Sequence, residues 1–187
     1  AIKDNIEYKK SAKAIDFTIK TISTVDGEEY QAETIITTIP WMEFDEIIGM
    51  PEDIRKSIGE LKFSSVQTEY FAENLDTPCH WIYYPDPKLS YHRKLVRHNF
   101  CPNSKGYWTE TNSERIGMAE PNENFKYMNQ YAYPLNTIEK PEIMKKLLSW
   151  SKDQGVVGLG RWGEHQHYNS DVTVDLAMKL ATKIILN

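Results

Sequence analysis

The alternation of apolar and polar positions predicts short β segments along most of the chain and two long helices near its end. Residues 14–22 alternate, with Ile15, Phe17 and Ile19 on one face and Asp16, Thr18 and Lys20 on the other, which predicts a strand. Asp26-Gly27 predicts a turn into a second strand over 30–32, and 34–39 is a third, more buried run stopped by Pro40. Two short helices are expected over 41–48 and 51–61, the second with Pro51 at its first position and Glu52 and Asp53 in its first turn. Phe44, Ile47 and Ile48 would cover a core. Residues 64–71 alternate again, and 81–84, 105–111 and 125–133 read as further strands, with a polar loop over 112–124. A helix is expected over 138–151, with Pro141 in its first turn and Ile143, Met144, Leu147 and Leu148 on its apolar side.

The last fifth organises the rest. An apolar run over 156–159 is followed by Gly158, Gly160 and Gly163 around Arg161, then by a helix over 172–187. Val172, Leu176, Leu180 and Ile184 form one stripe of that helix. Asn169 or Ser170 is a natural N-cap, and Asp171 places a carboxylate in the first turn. Glycines there allow close backbone approach, and amides at a helix start suit phosphate or another electron-rich group. The same residues also serve as a plain strand-to-helix turn, with Arg161 in a salt bridge.

Composition narrows the function classes. With 187 residues, 40% hydrophobic and 26% charged, the chain can bury a core. A net charge of -5 without a basic run argues against a nucleic-acid surface. Cys79 and Cys101 have no metal-ligand spacing, and each adjoins a proline, so a reducing cytoplasmic compartment is expected. No apolar run is long enough for a membrane-spanning helix. The five histidines lack a third ligand at a defined spacing, so no metal site is expected.

Trp81 and Tyr83, two apart, share one strand face and could stack on a base or sugar, with Arg93 neutralising a phosphate. Packing in a half-buried sheet, with Arg93 a surface charge, accounts for the same pattern.

Gly160-Arg161-Trp162-Gly163, a polar-aromatic run and then Asn169-Ser170-Asp171 before a helix resemble the C-terminal flavin motif of UDP-galactopyranose mutases and amine-oxidase-like flavoproteins. Trp81-Ile-Tyr-Tyr-Pro, then Tyr91-His92-Arg93 and Asn99-Phe-Cys-Pro, resemble the substrate segment of the eukaryotic-type mutases, and Tyr131-Ala-Tyr133-Pro134 resembles their Tyr-x-Tyr-Pro. His92, His165 and His167 stand where those enzymes carry aromatic residues.

The resemblance implies a substrate site of Trp81, Tyr83, Arg93, Tyr131, Tyr133, Arg161 and His167, with both arginines on the diphosphate of a UDP-sugar. It implies cofactor contacts from Gly160, Arg161, Asn169, Ser170, Asp171 and Val172 to FAD. The cofactor supplies the nucleophile in that family, so no side chain is assigned as catalytic. The expected fold is α+β: a partial FAD-binding segment over 1–40, an antiparallel or mixed substrate sheet over 41–155, and a cofactor-binding strand, loop and helix over 156–187. No Gly-x-Gly-x-x-Gly occurs, so a dinucleotide-binding segment is expected to be missing at the N-terminal side. The chain is therefore expected to be inactive alone and not to hold FAD tightly. An oxidoreductase of the amine-oxidase or protoporphyrinogen-oxidase kind, and a non-catalytic nucleotide-sugar-binding module, are the alternatives.

Overall fold

The computed structural model describes residues 5–119 and 121–186. The fold is α+β, with antiparallel and mixed sheets. Two compact units divide the chain: the described residues up to Lys62 together with those from Pro134 onward, and Phe63–Tyr133. Residues 41–62 and 134–155, expected with the substrate sheet, thus pack with the two ends of the chain.

In the first unit a four-stranded mixed sheet has the order β3-β2-β1-β5, from β1 (Ala12–Asp16), β2 (Thr21–Thr24), β3 (Glu29–Gln31) and β5 (Glu46–Ile48). The single strand expected over 14–22 is a hairpin instead. The Asp16 carboxylate accepts from the backbone N–H of Thr18 at 2.8 Å and from its hydroxyl at 2.6 Å, which ends β1, and Lys20 is left-handed at φ 53°. Ile15 and Phe17 are buried, while Ile19, the third apolar member of the alternation, is exposed in the turn. The helix expected over 41–48 is a 310 turn, Trp41–Glu43, followed by β5, which pairs parallel with β1. The apolar spacing there is helical, but Ile47 and Ile48 are β-branched and find a strand partner, so tertiary pairing prevails.

Helix α1 (Glu52–Ile58) starts from Pro51 at the N-cap rather than at the first helical position. Helix α3 (Lys140–Asp153) sets Ile143, Met144 and Leu147 into one core with Ile15, Trp41, Ile54 and Val156. A separate pair of parallel strands joins β4 (Ile35–Thr37) to β11 (Val156–Gly158). The turn helix α4 (Gly160–Gly163) and helix α5 (Ser170–Ile185) complete this unit. Asn169 occupies the N-cap of α5 but makes no side-chain capping bond. None of the described residues of α5 is buried, although Leu176 and Leu180 are half-covered, and Asn187, expected in this helix, lies outside the described residues.

The second unit is a five-stranded sheet in the order β10-β6-β9-β8-β7. Its strands are β6 (Phe63–Phe71), β7 (Trp81–Tyr83), β8 (Tyr91–Leu95), β9 (Tyr107–Asn112) and β10 (Lys126–Pro134). A short helix α2 (Arg97–Phe100) follows β8. The expected loop over 112–124 contains a 310 turn, Ser113–Met118, capped by the Asn112 side chain, which accepts from the Glu114 N–H. Tyr107, Thr109 and Thr111 are buried, while Trp108, Glu110 and Asn112 alternate with them in the half-covered positions.

Candidate functional site

In the five-stranded unit the register decides which side chains meet. Tyr83 of β7 pairs with Arg93 of β8, and Arg93 pairs with Glu110 of β9, so the three form one row across three strands. The guanidinium donates from Nε to Oε2 of Glu110 at 2.8 Å and from Nη2 to the same oxygen at 2.5 Å. Its Nη1 donates to the Tyr83 hydroxyl at 3.2 Å, and Nη2 reaches the Tyr133 hydroxyl at 3.5 Å. The Arg93 side chain retains 19% of its exposure and that of Glu110 13%, so solvent screens this pair little. Burial acts against the Arg93 charge, but the bonds to Tyr83 and Glu110 outweigh it and hold its pKa above the ordinary arginine value.

A β-bulge adds one residue to β8: Tyr91 pairs with Thr111 and Arg93 with Glu110, leaving His92 as the extra position. In a regular strand His92 and Arg93 would face opposite sides. Here His92 Nε2 also lies 3.7 Å from Oε2 of Glu110. Burial lowers the pKa of His92, Glu110 acts to raise it, and Arg93 and Arg115 lower it again. At neutral pH the contact is therefore between a neutral ring and a carboxylate, not an ion pair.

Trp81 and Tyr83 are 52% and 60% exposed, so the aromatic face of β7 is open rather than half-buried packing. Tyr131 packs its ring on Phe63 at 4.7 Å, whereas Tyr133 reaches the guanidinium. Of the sequence-expected substrate residues in this unit, Tyr83 and Tyr133 both contact Arg93 through their hydroxyls. Glu110 escaped the sequence reading. A lone carboxylate in an alternating strand carries no signal until the register sets it opposite an arginine.

In the other unit Arg161 donates from Nε and Nη2 to the Tyr168 carbonyl, at 3.2 and 2.8 Å, and so closes the loop before α5. Gly160 has φ +76° and donates its N–H to the Glu164 carboxylate at 3.0 Å. Burial raises the pKa of Glu164, against that backbone bond. Gly158 and Gly163 lie back to back: a Cβ on Gly158 would sit 2.3 Å from the Gly163 carbonyl oxygen. A largely apolar cavity of about 560 Å³ opens between Thr38, Gly160, Arg161, Trp162 and the first half of α5, including Ser170 and Thr173. Gly160, Arg161 and Ser170 of the expected cofactor residues line it; Asn169, Asp171 and Val172 are not among its walls. His167 is exposed and is also outside that lining.

His165, one residue beyond Glu164, is 1% exposed and left-handed at φ 48°. Its Nε2 is 3.0 Å from the Lys62 carbonyl, which can only accept, so Nε2 carries the proton. Lys140 is 4% exposed and donates to the Asn136 side chain at 2.5 Å, the His165 carbonyl at 3.2 Å and the Gln166 side chain at 3.2 Å. Two buried titratable groups thus hold the loop that carries Arg161. Among the described residues no cluster of His, Cys, Asp or Glu could hold a metal ion, and no helix is long and apolar enough to cross a membrane.

No protein-family model and no curated protein matches the sequence. Solved structures do. A reduced UDP-galactopyranose mutase matches with a TM-score of 0.64 and 18% identity, over 82% of this chain and 41% of its own. A CLA-producing fatty acid isomerase from P. acnes matches with a TM-score of 0.64 and 13% identity, over 93% of this chain and 47% of its own. A protein assigned as a protoporphyrinogen oxidase from Exiguobacterium sp. 255-15 matches at 0.50 and 13%, over 81% and 41%. This chain shares their fold. The expected likeness to the mutases and their amine-oxidase-like relatives holds at that level, and the chain spans less than half the length of each.

Proposed function

We propose that this chain is part of a FAD-dependent mutase of the UDP-galactopyranose kind, contributing the nucleotide-sugar site and one side of the cofactor site. The observation that carries the reading is the row Tyr83–Arg93–Glu110 beside the open face of Trp81. Two exposed aromatics offer stacking area to a base, and an oriented guanidinium with two tyrosine hydroxyls offers hydrogen bonds to a diphosphate.

The residues of the other unit fit a flavin. The cavity before α5 is mostly apolar, it opens at the start of a helix without a side-chain cap, and the glycine turn beside it leaves room for close approach. Gly160, Arg161 and Ser170 would hold FAD there, and the cofactor would supply the nucleophile for ring contraction of the sugar. The protein's own part is to bind the nucleotide, orient the sugar and stabilise charge on the departing diphosphate through Arg93. The oxidoreductase alternative has no use for a guanidinium held between tyrosine hydroxyls. The binding-module alternative keeps the nucleotide site and dispenses with the cofactor cavity.

The test is titration of the chain with UDP-galactose, followed by tryptophan fluorescence against a Trp81→Phe reference. Saturable quenching in the parent chain, absent in Trp81→Phe and weakened by Arg93→Ala, is expected. The absence of saturable binding overturns the nucleotide-sugar reading.

A further inference from the structure

We infer that Glu110 is a resident counter-ion at the anion site, a carboxylate that an incoming ligand must outcompete and that restricts the site to multiply charged phosphates. The inference rests on the reading of Arg93 as the ligand's guanidinium, and goes beyond it by assigning specificity to a residue of a different strand.

The geometry supplies the argument. Both Nε and Nη2 of Arg93 are spent on one oxygen of Glu110, at 2.8 and 2.5 Å. The remaining nitrogen, Nη1, faces the Tyr83 hydroxyl, and Nη2 also reaches Tyr133. The row is therefore charge-balanced before any ligand arrives, one guanidinium to one carboxylate, with little solvent to screen either. A single carboxylate or a monoanionic phosphate could at best replace one anion by another on the same cation. A diphosphate brings more charge and more acceptor oxygens, enough to engage the guanidinium and both hydroxyls while Glu110 gives way or shares.

Removing Glu110 leaves Arg93 as a partly buried cation without its counter-ion, and any anion that binds then relieves that penalty. Linkage accordingly predicts that loss of Glu110 tightens anion binding. A carboxylate that served only to orient Arg93 predicts the reverse. His92, which the bulge brings to the same oxygen, is neutral at neutral pH and does not relieve the competition.

The experiment is calorimetric titration of the chain with pyrophosphate, inorganic phosphate and uridine, comparing the parent with Glu110→Gln, Glu110→Asp and Arg93→Ala. Glu110→Gln is expected to bind pyrophosphate about tenfold tighter, to narrow the preference for pyrophosphate over phosphate, and to leave uridine unchanged. Pyrophosphate should also raise the melting temperature of this variant more than that of the parent. Glu110→Asp keeps the charge but withdraws it by one methylene, so it should gain a few-fold, and it serves if the glutamine variant does not fold. Unchanged or weaker pyrophosphate binding in both Glu110 variants, with binding lost in Arg93→Ala, overturns the counter-ion role and leaves the arginine reading intact. Pyrophosphate binding that survives Arg93→Ala at full strength overturns both, as does the absence of binding throughout.

Discussion

The indole of Trp41 donates its N–H to the carbonyl of Gly163 at 2.8 Å, across 122 positions of sequence and in a buried setting. Trp41 is 1% exposed and belongs to the main core, while Gly163 ends the turn that carries Arg161. The bond therefore fixes the glycine turn to the core of its unit. A helix-end carbonyl that would otherwise lack a partner is satisfied by a side chain from the front of the chain.

Trp41→Phe keeps an aromatic ring but removes the donor and part of the volume. The orphaned carbonyl and the residual cavity together should cost about 2–4 kcal/mol of unfolding free energy. Urea denaturation measures this directly. A loss below about 0.5 kcal/mol, the range of ordinary surface changes, contradicts the linkage.

Gly163→Ala tests the close approach at the other end of that bond. The added Cβ would lie 2.3 Å from the Thr37 carbonyl oxygen and 3.1 Å from the Gly158 carbonyl carbon, all of it backbone that cannot swing aside. The expected loss is about 1–3 kcal/mol, as for other overpacked sites, with β4 and β11 displaced. Gly27→Ala provides the contrast. Gly27 has φ +86° but no atom within 4 Å of the added methyl, so only the left-handed strain of about 1–2 kcal/mol applies. Equal melting shifts with no change in the amide spectra of β4 for Gly163→Ala would contradict the steric argument.

Where signals were local the sequence was legible. Asp26-Gly27 led into β3, the alternation of 64–71 became β6, and the spacing of Ile143, Met144 and Leu147 gave the buried face of α3. The strand, glycine turn and helix at the C-terminal end were also readable, because glycine spacing and a helix start are properties of neighbouring residues. What escaped depended on partners far away. Ile47 and Ile48 extend because β1 lies beside them, and Glu110 matters because the register sets it opposite Arg93. The bulge at His92 illustrates the same limit: one extra residue redirects a side chain, and nothing in Tyr91-His92-Arg93 announces it.

The buried His165 gives stability a pH dependence of known sign. Burial lowers its folded pKa, Lys140 adds in the same direction, and the Lys62 carbonyl opposes them. The unfolded chain has the ordinary value of about 6.5. Above that value both states are neutral and the group adds no slope. As pH falls below it, the unfolded chain takes up a proton that the folded chain does not, so stability decreases until the folded pKa is reached, by at most about 1.4 kcal/mol per pH unit. His92, lowered by burial, contributes in the same direction. His165→Asn removes the titration while tolerating the left-handed backbone at φ 48°. Urea midpoints at several pH values between 7.5 and 5.5 should fall less steeply for this variant than for the parent; parallel profiles contradict the assignment.

The last prediction concerns helix α5. Val174 is 57% exposed, Met178 66% and Ile185 81%, and none of the described residues of this 16-residue helix is buried. In the same unit β4 and β11 form, among the described residues, a sheet of two parallel strands, an arrangement that elsewhere is extended by further strands and covered on both faces. An apolar helix face and a short parallel sheet left in this state should bind hydrophobic probes and drive self-association as concentration rises. Met178→Glu combined with Ile185→Glu replaces apolar surface that contributes no core contact. Stability should therefore stay within about 0.5 kcal/mol of the parent, while dye binding and association in sedimentation experiments both decrease. A large loss of stability in the double variant would mean that α5 packs against the rest of its unit more deeply than its exposure indicates. Unchanged association with unchanged stability would locate the adhesive surface elsewhere, leaving the edge of β4 as the next place to test by a single charged substitution at Ile36, which is 45% exposed.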